Sequence, residues 1–367
     1  MRESGLTLPN REVGRKVDEA EREARRRRRE TWMAGHLARR TTVVADLAAR
    51  AEDVPGWLAV RRHSGSYLRH LATWQRSSWY TNISHVLADH EAELRAWQAR
   101  SDGELAAVAP EERAAAEAGL GLRLALIGKG GAGKTVLSST LARVLARRGR
   151  RVLAVDLDVN PGMSYSVGLL GRDITLPTEA LEEDPNAAYG WQLRTGLLPR
   201  VAVEEFAVPG PDGVSVMSVG KIGGLDKMSA KRTVPAVCEI LLGYGESGVD
   251  VIADLEAGPT TPFEHYHAFA DDVAVVVGPA WRSAMTARRL LPMVGEGRRT
   301  TIIANRFRDE PDHPGMAPHI RVPFDPEVWA AERRGESPLD AVPDSPTVAA
   351  VERIADWFTG TPVAPRT

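Results

Sequence analysis

Residues 122–135 read LRLALIGKGGAGKT, and this stretch decides the fold. The apolar run at 122–127 predicts a buried β-strand, and the residues from about Thr135 to Arg148 predict a helix. The loop between them matches GxxxxGK[ST] at every fixed position. Its glycines let backbone N–H groups point at phosphate oxygens, and the helix N-terminus adds positive potential. The stretch therefore predicts a loop that binds the phosphates of a nucleoside triphosphate.

The whole loop is predicted to contact the nucleotide. Lys134 is placed to reach the β- and γ-phosphates, and Thr135 is placed to ligate Mg²⁺. The predicted nucleotide-binding residues here are Gly128, Lys129, Gly130, Gly131, Ala132, Gly133, Lys134 and Thr135. The alternative is a glycine turn that serves only the fold, but the strand before the loop and the helix after it favour the nucleotide site.

The pattern of the chain changes near residue 118. Before it, helical patterns dominate, whereas after it short β-branched runs alternate with helical stretches. That alternation is typical of βαβ units and a parallel sheet. We therefore predict an α/β fold at 119–367, with a mostly parallel twisted sheet and flanking helices. Residues 1–118 are predicted to form a separate all-α module.

Composition excludes several classes of protein. The chain has 367 residues and a net charge of −2, so no whole-protein signature of nucleic-acid binding is present. Its single cysteine, Cys238, excludes an internal disulfide and a cysteine-cluster metal site within one chain. No secretory signal or membrane-spanning run is visible, so we expect a cytoplasmic protein.

Lys129 is the second residue of the loop and gives it the form KGGAGKT. In this respect the stretch resembles the deviant Walker A ATPases, a family that includes MinD, ParA and CooC, and the resemblance extends over about residues 121–358. It implies Mg-ATP binding, ATP hydrolysis and an ATP-dependent homodimer in which Lys129 reaches the partner's nucleotide. The alternative for Lys129 is a solvated loop lysine.

Two apolar runs, at 151–156 and 249–254, predict strands that end at Asp156 and Asp254. A third aspartate, Asp158, follows the first run. The resemblance implies that Asp158 orients the attacking water and that Asp156 lies near the Mg²⁺ shell. Asp254 is predicted to hold Mg²⁺ through a water. Acids at the carboxyl edge of parallel strands face the crevice where phosphates bind, which favours this assignment over turn and cap roles.

The remaining predicted nucleotide contacts come later in the chain. Gly258 is predicted to sense the γ-phosphate through its backbone N–H. The resemblance implies that Asn305 recognises adenine and that Pro323 and Asp325 lie on the other side of the base. The DLEAG string at 254–258 is similar to that of CooC-type ATPases.

The N-terminal module carries five consecutive arginines, Arg25–Arg29. This run indicates either contact with nucleic acid or an acidic partner, or a solvated helix whose arginines pair with nearby acids. Three functions are therefore open for the whole chain. They are a positioning or partitioning ATPase whose arginine-rich segment or helical module contacts DNA or an adaptor protein, a maturation ATPase for another enzyme, and a regulatory module that holds ATP with little turnover.

Overall fold

The structure is a computed structural model. It describes residues 11–49, 56–75, 84–158, 161–185, 191–219, 227–244, 248–258, 266–294 and 298–360. All structural statements below concern these residues. Asn160, Pro259 and Thr260, which the family resemblance would place in segments that respond to the γ-phosphate, lie outside them.

The described residues contain ten strands. They are β1 (Arg123–Gly128), β2 (Arg151–Leu157), β3 (Leu181–Glu183), β4 (Trp191–Leu193), β5 (Val208–Pro209), β6 (Ser215–Ser218), β7 (Val249–Leu255), β8 (Asp272–Val277), β9 (Arg299–Phe307) and β10 (Ile320–Pro323). Eight of them form one sheet in the order β10-β9-β8-β1-β7-β2-β6-β5. Only β5 and β6 pair antiparallel in this sheet, so the predicted mostly parallel sheet is confirmed.

The central strands are apolar along nearly their whole length because helices cover both faces of the sheet. Every residue of β1 and β7 is buried. Since neighbouring parallel strands end at the same edge, the loops after β1, β2 and β7 meet at one edge of the sheet. This edge carries the predicted site.

Helices flank the sheet and form the N-terminal part of the chain. The α-helices of the described residues are α1 (Arg11–Ala49), α2 (Gly56–Gln75), α3 (Ser84–Ala106), α4 (Pro110–Ala118), α5 (Lys134–Arg147), α6 (Met163–Ser166), α7 (Pro199–Phe206), α8 (Lys227–Gly243), α9 (Trp281–Leu290), α10 (Pro326–Arg334), α11 (Pro338–Ala341) and α12 (Pro346–Thr359). Short 3-10 turns lie at Thr178–Ala180, Pro211–Gly213 and Leu291–Met293.

One face of the sheet is covered by α5 and α12. Leu141 of α5 and Ile354 of α12 belong to the same buried cluster as Ile252 of β7. The last helix begins at Pro346, where the Ser345 side chain accepts a 3.1 Å hydrogen bond from the Val348 N–H. Its apolar residues recur at helical spacing and are buried against this face, namely Val348, Val351, Ile354, Ala355 and Phe358.

The other face is covered by α8 and by the N-terminal helices. Tyr67 of α2 and Leu94 of α3 are buried in the same cluster as Ile240 of α8. A buried ion pair joins α1 to α8, where Arg40 Nη2 donates to Glu239 Oε1 at 2.5 Å. The N-terminal helices therefore contribute to the core on this face of the sheet. The division at residue 118 stays a prediction.

The segment between β2 and β6 has no readable sequence motif. In the structure β3 and β4 form a separate antiparallel pair, and α7 follows it. Gln192 and Thr195 both donate to Glu182, at 2.7 and 2.5 Å, which holds the pair together through side chains. Among the helices described, none combines the length and the apolar character that a bilayer crossing needs.

Candidate functional site

The loop between β1 and α5 adopts a backbone that requires glycine. Gly128 has φ 154°, and a Cβ atom there would lie 2.4 Å from the carbonyl oxygen of Val276 on the neighbouring strand β8. Gly133 has φ 89°, and its Cβ would lie 2.3 Å from the side-chain amide nitrogen of Asn305. Gly131 also has a positive φ, of 81°. These conformations strain any residue with a side chain, so the loop's tight course depends on its glycines.

The N-terminus of α5 is the anion-binding end of the site. Gly133 is its N-cap, and no side chain caps the first N–H groups of the helix. Such groups are suited to phosphate oxygens because they combine free donors with the positive end of the helix dipole. Lys134 is the first residue of the helix and is buried, with 6% of its surface exposed. The structure thus places Lys134 next to the N–H groups that would bind phosphate.

Thr135 and Asp254 contact each other. The Thr135 hydroxyl donates to Asp254 Oδ2, while Asp254 Oδ1 is buried and has no hydrogen-bond partner in the described part of the chain. Burial raises the pKa of Asp254, and the carboxylate of Asp156 raises it further. Lys134 and the Thr135 hydroxyl oppose this effect. A buried carboxylate with one unsatisfied oxygen is a group that a cation or a cation-bound water would satisfy.

Asp156 lies opposite Asp254 in the register of β2 and β7. Burial raises the pKa of Asp156, although backbone N–H groups that bind its carboxylate lower it. Its Oδ1 accepts from the Asp158 N–H, and its Oδ2 accepts from the Gly162 and Met163 N–H groups, all at 2.9 Å. Asp156 therefore holds the loop after β2, and any contribution to Mg²⁺ stays a prediction.

These residues fit Mg²⁺. Thr135 and Asp254 supply a hydroxyl and a carboxylate, which are oxygen ligands that Mg²⁺ prefers. No group of three or more His, Cys, Asp or Glu side chains in the described ranges could hold a metal ion by itself. Mg²⁺ usually takes one or two protein ligands and completes its shell with waters and substrate phosphates. The donor set therefore suits a Mg-nucleotide better than a free metal ion.

The segment after β7 lies against the loop. The Gly258 N–H donates to the Gly128 carbonyl oxygen at 3.1 Å, and Gly258 has φ 97°. Glu256 and Gly258 are half-buried. The predicted γ-phosphate sensor thus lies at the start of the glycine loop. Its contact with phosphate stays a prediction.

The three residues predicted to surround adenine line one cleft. Asn305, Pro323 and Asp325 are brought together beside Val136 and Leu137 of α5. Asn305 is buried and its amide donates to the Ala132 carbonyl at 2.7 Å. Asp325 caps α10 by accepting from the N–H groups of the first turn, at 2.9 Å and 3.4 Å. Both side chains therefore have structural partners, and their contact with the base stays a prediction.

Sequence reasoning missed three residues of this cleft. Arg306 has φ 65°, donates to the Gly131 carbonyl at 3.4 Å and pairs with Glu332 at 2.8 Å. Phe324 and Trp329 also line the cleft, and Trp329 is 47% exposed. The two aromatic residues near Asp325 in the sequence could have indicated that they line the cleft. Nothing in the sequence indicates the positive φ of Arg306, which is uncommon for a residue other than glycine.

Lys129 differs from Lys134 in its surroundings. It is half-buried, and its Nζ donates to the Gly130 carbonyl at 3.2 Å. It lines a cleft of about 430 Å³ beside the loop, which we call the outer cleft, together with Arg306, Arg308 and Glu310. The two lysines of the loop thus occupy different environments.

A family model described as CobQ/CobB/MinD/ParA nucleotide binding domain matches residues 124–339, which is more than half of the chain. The chain belongs to this family. All the predicted site residues of this CobQ/CobB/MinD/ParA-type domain lie inside the matched range. The N-terminal helices α1 to α4 and the final helix α12 lie outside it.

Relatives of this MinD/ParA-type domain include ATP-binding proteins and an accessory protein of carbon monoxide dehydrogenase. An uncharacterised ATP-binding protein of Methanocaldococcus jannaschii is 29% identical over 246 residues, which cover 64% of this chain and 85% of the relative. The carbon monoxide dehydrogenase accessory protein CooC of Rhodospirillum rubrum is 26% identical over 249 residues, 60% of this chain and 91% of the relative. The septum site-determining protein MinD of Pyrococcus horikoshii, solved with Mg-ADP, has a TM-score of 0.50 and 19% identity. That alignment covers 65% of this chain and 96% of the MinD chain, and it shows the fold.

Proposed function

We propose that this protein is a dimerising switch that binds Mg-ATP and hydrolyses it to ADP and phosphate to control partner binding. The observation that carries the proposal is the contrast between the two lysines of the loop. Lys134 is buried near Asp254. Lys129 lines the outer cleft, and in the described part of the chain its Nζ donates only to the Gly130 carbonyl. A lysine in that outer position is available to a nucleotide that a second copy of the chain presents.

Dimerisation would bring the carboxyl edges of two sheets face to face. The outer cleft beside Lys129 also contains Arg306, Arg308 and Glu310, and Arg306 pairs with Glu332. Lys129 and Arg308 would therefore supply the positive charge that this cleft presents to the partner's triphosphate. Within one protomer, Lys134 and the α5 N-terminus would bind the phosphates of its own nucleotide. The positive charge around each triphosphate would then come from both protomers.

Hydrolysis would proceed by in-line attack of a water on the γ-phosphate. Asp158 follows the end of β2 and its backbone is fixed by the Asp156 carboxylate, so its side chain would be positioned to orient that water. The loop N–H groups and Lys134 would stabilise the charge of the transferring group, which is the main contribution a protein makes to this reaction. Mg²⁺, held by Thr135 and Asp254, would supply further positive charge at the phosphates.

Gly258 supports a mechanism for the switch. Its N–H donates to the Gly128 carbonyl in this structure. Binding of the γ-phosphate would exchange that hydrogen bond for one to a phosphate oxygen and move the segment after β7. A ligand shifts a conformational equilibrium only through contacts that differ between the two states, and this exchange would provide one.

The N-terminal helices are the proposed contact for a protein partner. Within the arginine run, Arg26 and Arg27 both pair with Glu23 at 3.0 Å, so part of its charge is compensated along the helix.

A second function is favoured by the CooC relative and by the DLEAG string at 254–258. In this alternative the switch serves the maturation of another enzyme. The chain has one cysteine, so it lacks a cysteine pair that could bind a metal between protomers. Such a maturation role would therefore act on the client protein by binding it.

The experiment that tests the proposal is multi-angle light scattering of the full chain with Mg-ATP. We expect Asp158→Ala to accumulate as a dimer, because hydrolysis is blocked, and Lys129→Ala to bind ATP but remain a monomer. Arg353→Gln on the exposed side of α12 is the matched control and should dimerise normally. A Lys129→Ala protein that dimerises like the wild type would contradict the proposal. Co-purification of one metalloenzyme with the Asp158→Ala dimer, without DNA, would favour the maturation alternative.

A further inference from the structure

A further cleft, which we call the second cleft, lies at the edge of the sheet opposite the glycine loop. It has a volume of about 650 Å³ and is lined by residues of α2 and by the first residues of β1 and β8. Arg123 begins β1 and lines this cleft, whereas Gly128 ends the same strand in the nucleotide loop. At roughly 3.3 Å per residue, the two ends of β1 are about 17 Å apart. The cleft is therefore separate from the nucleotide site.

The lining of this cleft is strongly basic. It contains five arginines and three acidic residues. The arginines are Arg61, Arg62, Arg69, Arg123 and Arg150. Arg61 and Arg150 pair with Asp102 and Asp250, which lie outside the lining.

The remaining three arginines surround one carboxylate. Arg62 Nε and Arg69 Nη2 donate to the two oxygens of Asp271, at 2.7 and 2.9 Å. Arg123 is 3% exposed, and its Nη2 donates to the neutral hydroxyl of Ser66 at 2.9 Å. The two other acids of the lining pair elsewhere, Asp272 with Arg299 and Glu117 with Arg113. The three arginines therefore share one carboxylate, that of Asp271.

Unsatisfied donors accompany this charge. The Nε atoms of Arg69 and Arg123 are buried and have no hydrogen-bond partner among the described residues. Burial raises the pKa of Asp271, but Arg123, Arg62 and Arg69 together lower it to about 2, as expected for one carboxylate shared by three guanidinium groups. Buried N–H donors without acceptors are costly, and an anionic ligand that accepts from these groups would offset that cost.

We propose that this cleft binds a small phosphorylated ligand through Arg69 and Arg123. Guanidinium groups match phosphate oxygens in geometry and form charge-assisted hydrogen bonds with them. The volume lies within the range of small-molecule sites, which run from about 300 to 1,000 Å³. Because Arg69 belongs to α2 and Arg123 to β1, the ligand would bridge the N-terminal helices and the sheet.

The test is calorimetric titration of pyrophosphate into the full-length Lys134→Ala protein at constant ionic strength. Lys134→Ala removes the main charge of the nucleotide loop, so the remaining binding reports the second cleft. We expect one pyrophosphate per chain in this background. Adding Arg69→Gln or Arg123→Gln should weaken binding by about tenfold or more, since each variant removes a charged hydrogen-bond donor.

Arg172→Gln, at an exposed position outside the cleft, is the matched control and should leave the affinity unchanged. Circular dichroism checks that each variant is folded. Because Arg123 begins a central strand, Arg69→Gln decides the outcome if Arg123→Gln does not fold. Absence of pyrophosphate binding in Lys134→Ala, or equal affinity after Arg69→Gln, would overturn the proposal.

Discussion

The side-chain amide of Asn305 donates a 2.7 Å hydrogen bond to the carbonyl oxygen of Ala132. This bond joins the end of β9 to the glycine loop after β1. Asn305 also lies where a Cβ atom on Gly133 would be, at 2.3 Å from its amide nitrogen. The residue that the sequence assigns to adenine recognition therefore also supports the phosphate-binding loop.

Replacement of Asn305 separates these two roles. Asn305→Ala leaves the buried loop carbonyl without its side-chain donor, which costs about 1–3 kcal/mol. We expect binding of both Mg-ATP and inorganic tripolyphosphate to weaken by about tenfold, because the loop itself is less well ordered. Calorimetry measures the affinities of the wild type and of Asn305→Ala for the two ligands. Loss of affinity for ATP alone would assign Asn305 to the base and contradict a role in the loop.

Two glycines of the loop form a matched pair. Gly131 and Gly133 both have a positive φ, but a Cβ on Gly131 meets no atom within 4 Å, whereas one on Gly133 meets Asn305. Gly131→Ala should therefore cost only the backbone strain, about 1 kcal/mol. Gly133→Ala should cost more and abolish measurable Mg-ATP binding. Thermal unfolding and ATP titration check the order, and equal effects of the two substitutions would show that the contact with Asn305 is unimportant.

The buried ion pair between α1 and α8 gives a prediction about stability. Glu239 accepts from Arg40 at 2.5 Å and from Arg39 at 3.1 Å, and Arg40 is fully buried. Glu239→Gln leaves a buried guanidinium without a counter-charge, so the free energy of unfolding should fall by about 3–5 kcal/mol. Urea denaturation of the wild type and of Glu239→Gln measures this change in the free energy of unfolding.

The control for this prediction is Glu204→Gln. Glu204 is 63% exposed on the side chain and lies 3.7 Å from Arg200, so its loss should cost less than about 1 kcal/mol. Replacing the pair by apolar residues, Arg40→Met with Glu239→Leu, should recover most of the stability lost in Glu239→Gln. A Glu239→Gln protein as stable as the Glu204→Gln control would mean that α1 does not depend on this pair.

His63 gives the stability a pH dependence. It is buried, and its Nδ1 lies 2.9 Å from the Leu242 carbonyl oxygen, so the neutral ring donates from Nδ1. Burial and the nearby Arg40 lower the pKa of His63 to about 3. Since the unfolded chain binds a proton near pH 6.5 and the folded chain does not, stability is full above that pH and falls as the pH is lowered.

Between pH 7 and pH 5 this group should reduce the free energy of unfolding by about 2 kcal/mol. His63→Asn keeps an amide donor for the carbonyl and removes the titration, so its loss of stability over that range should be smaller by about this amount. Equal slopes for the wild type and His63→Asn would exclude His63 as the source.

Much of the sheet could be predicted from the sequence because its strands are short, apolar and separated by helices. The predicted strands at 151–156 and 249–254 differ from β2 and β7 by one residue at the carboxyl end, and the loop before α5 follows from its glycines. The docking of the N-terminal helices could not be predicted, since Arg40 and Glu239 lie 199 residues apart in the chain. The β3–β4 pair was missed because each strand has three residues, too few for a periodic pattern.

Isothermal titration calorimetry of Mg-ATP into the wild-type protein and into Lys134→Ala tests whether the loop between β1 and α5 binds Mg-ATP. We predict that one ATP binds per wild-type chain and that this binding depends on Mg²⁺. Lys134→Ala should lose tight ATP binding while the protein stays folded. Absence of heat with Mg-ATP, or equal affinity for the two proteins, would contradict it.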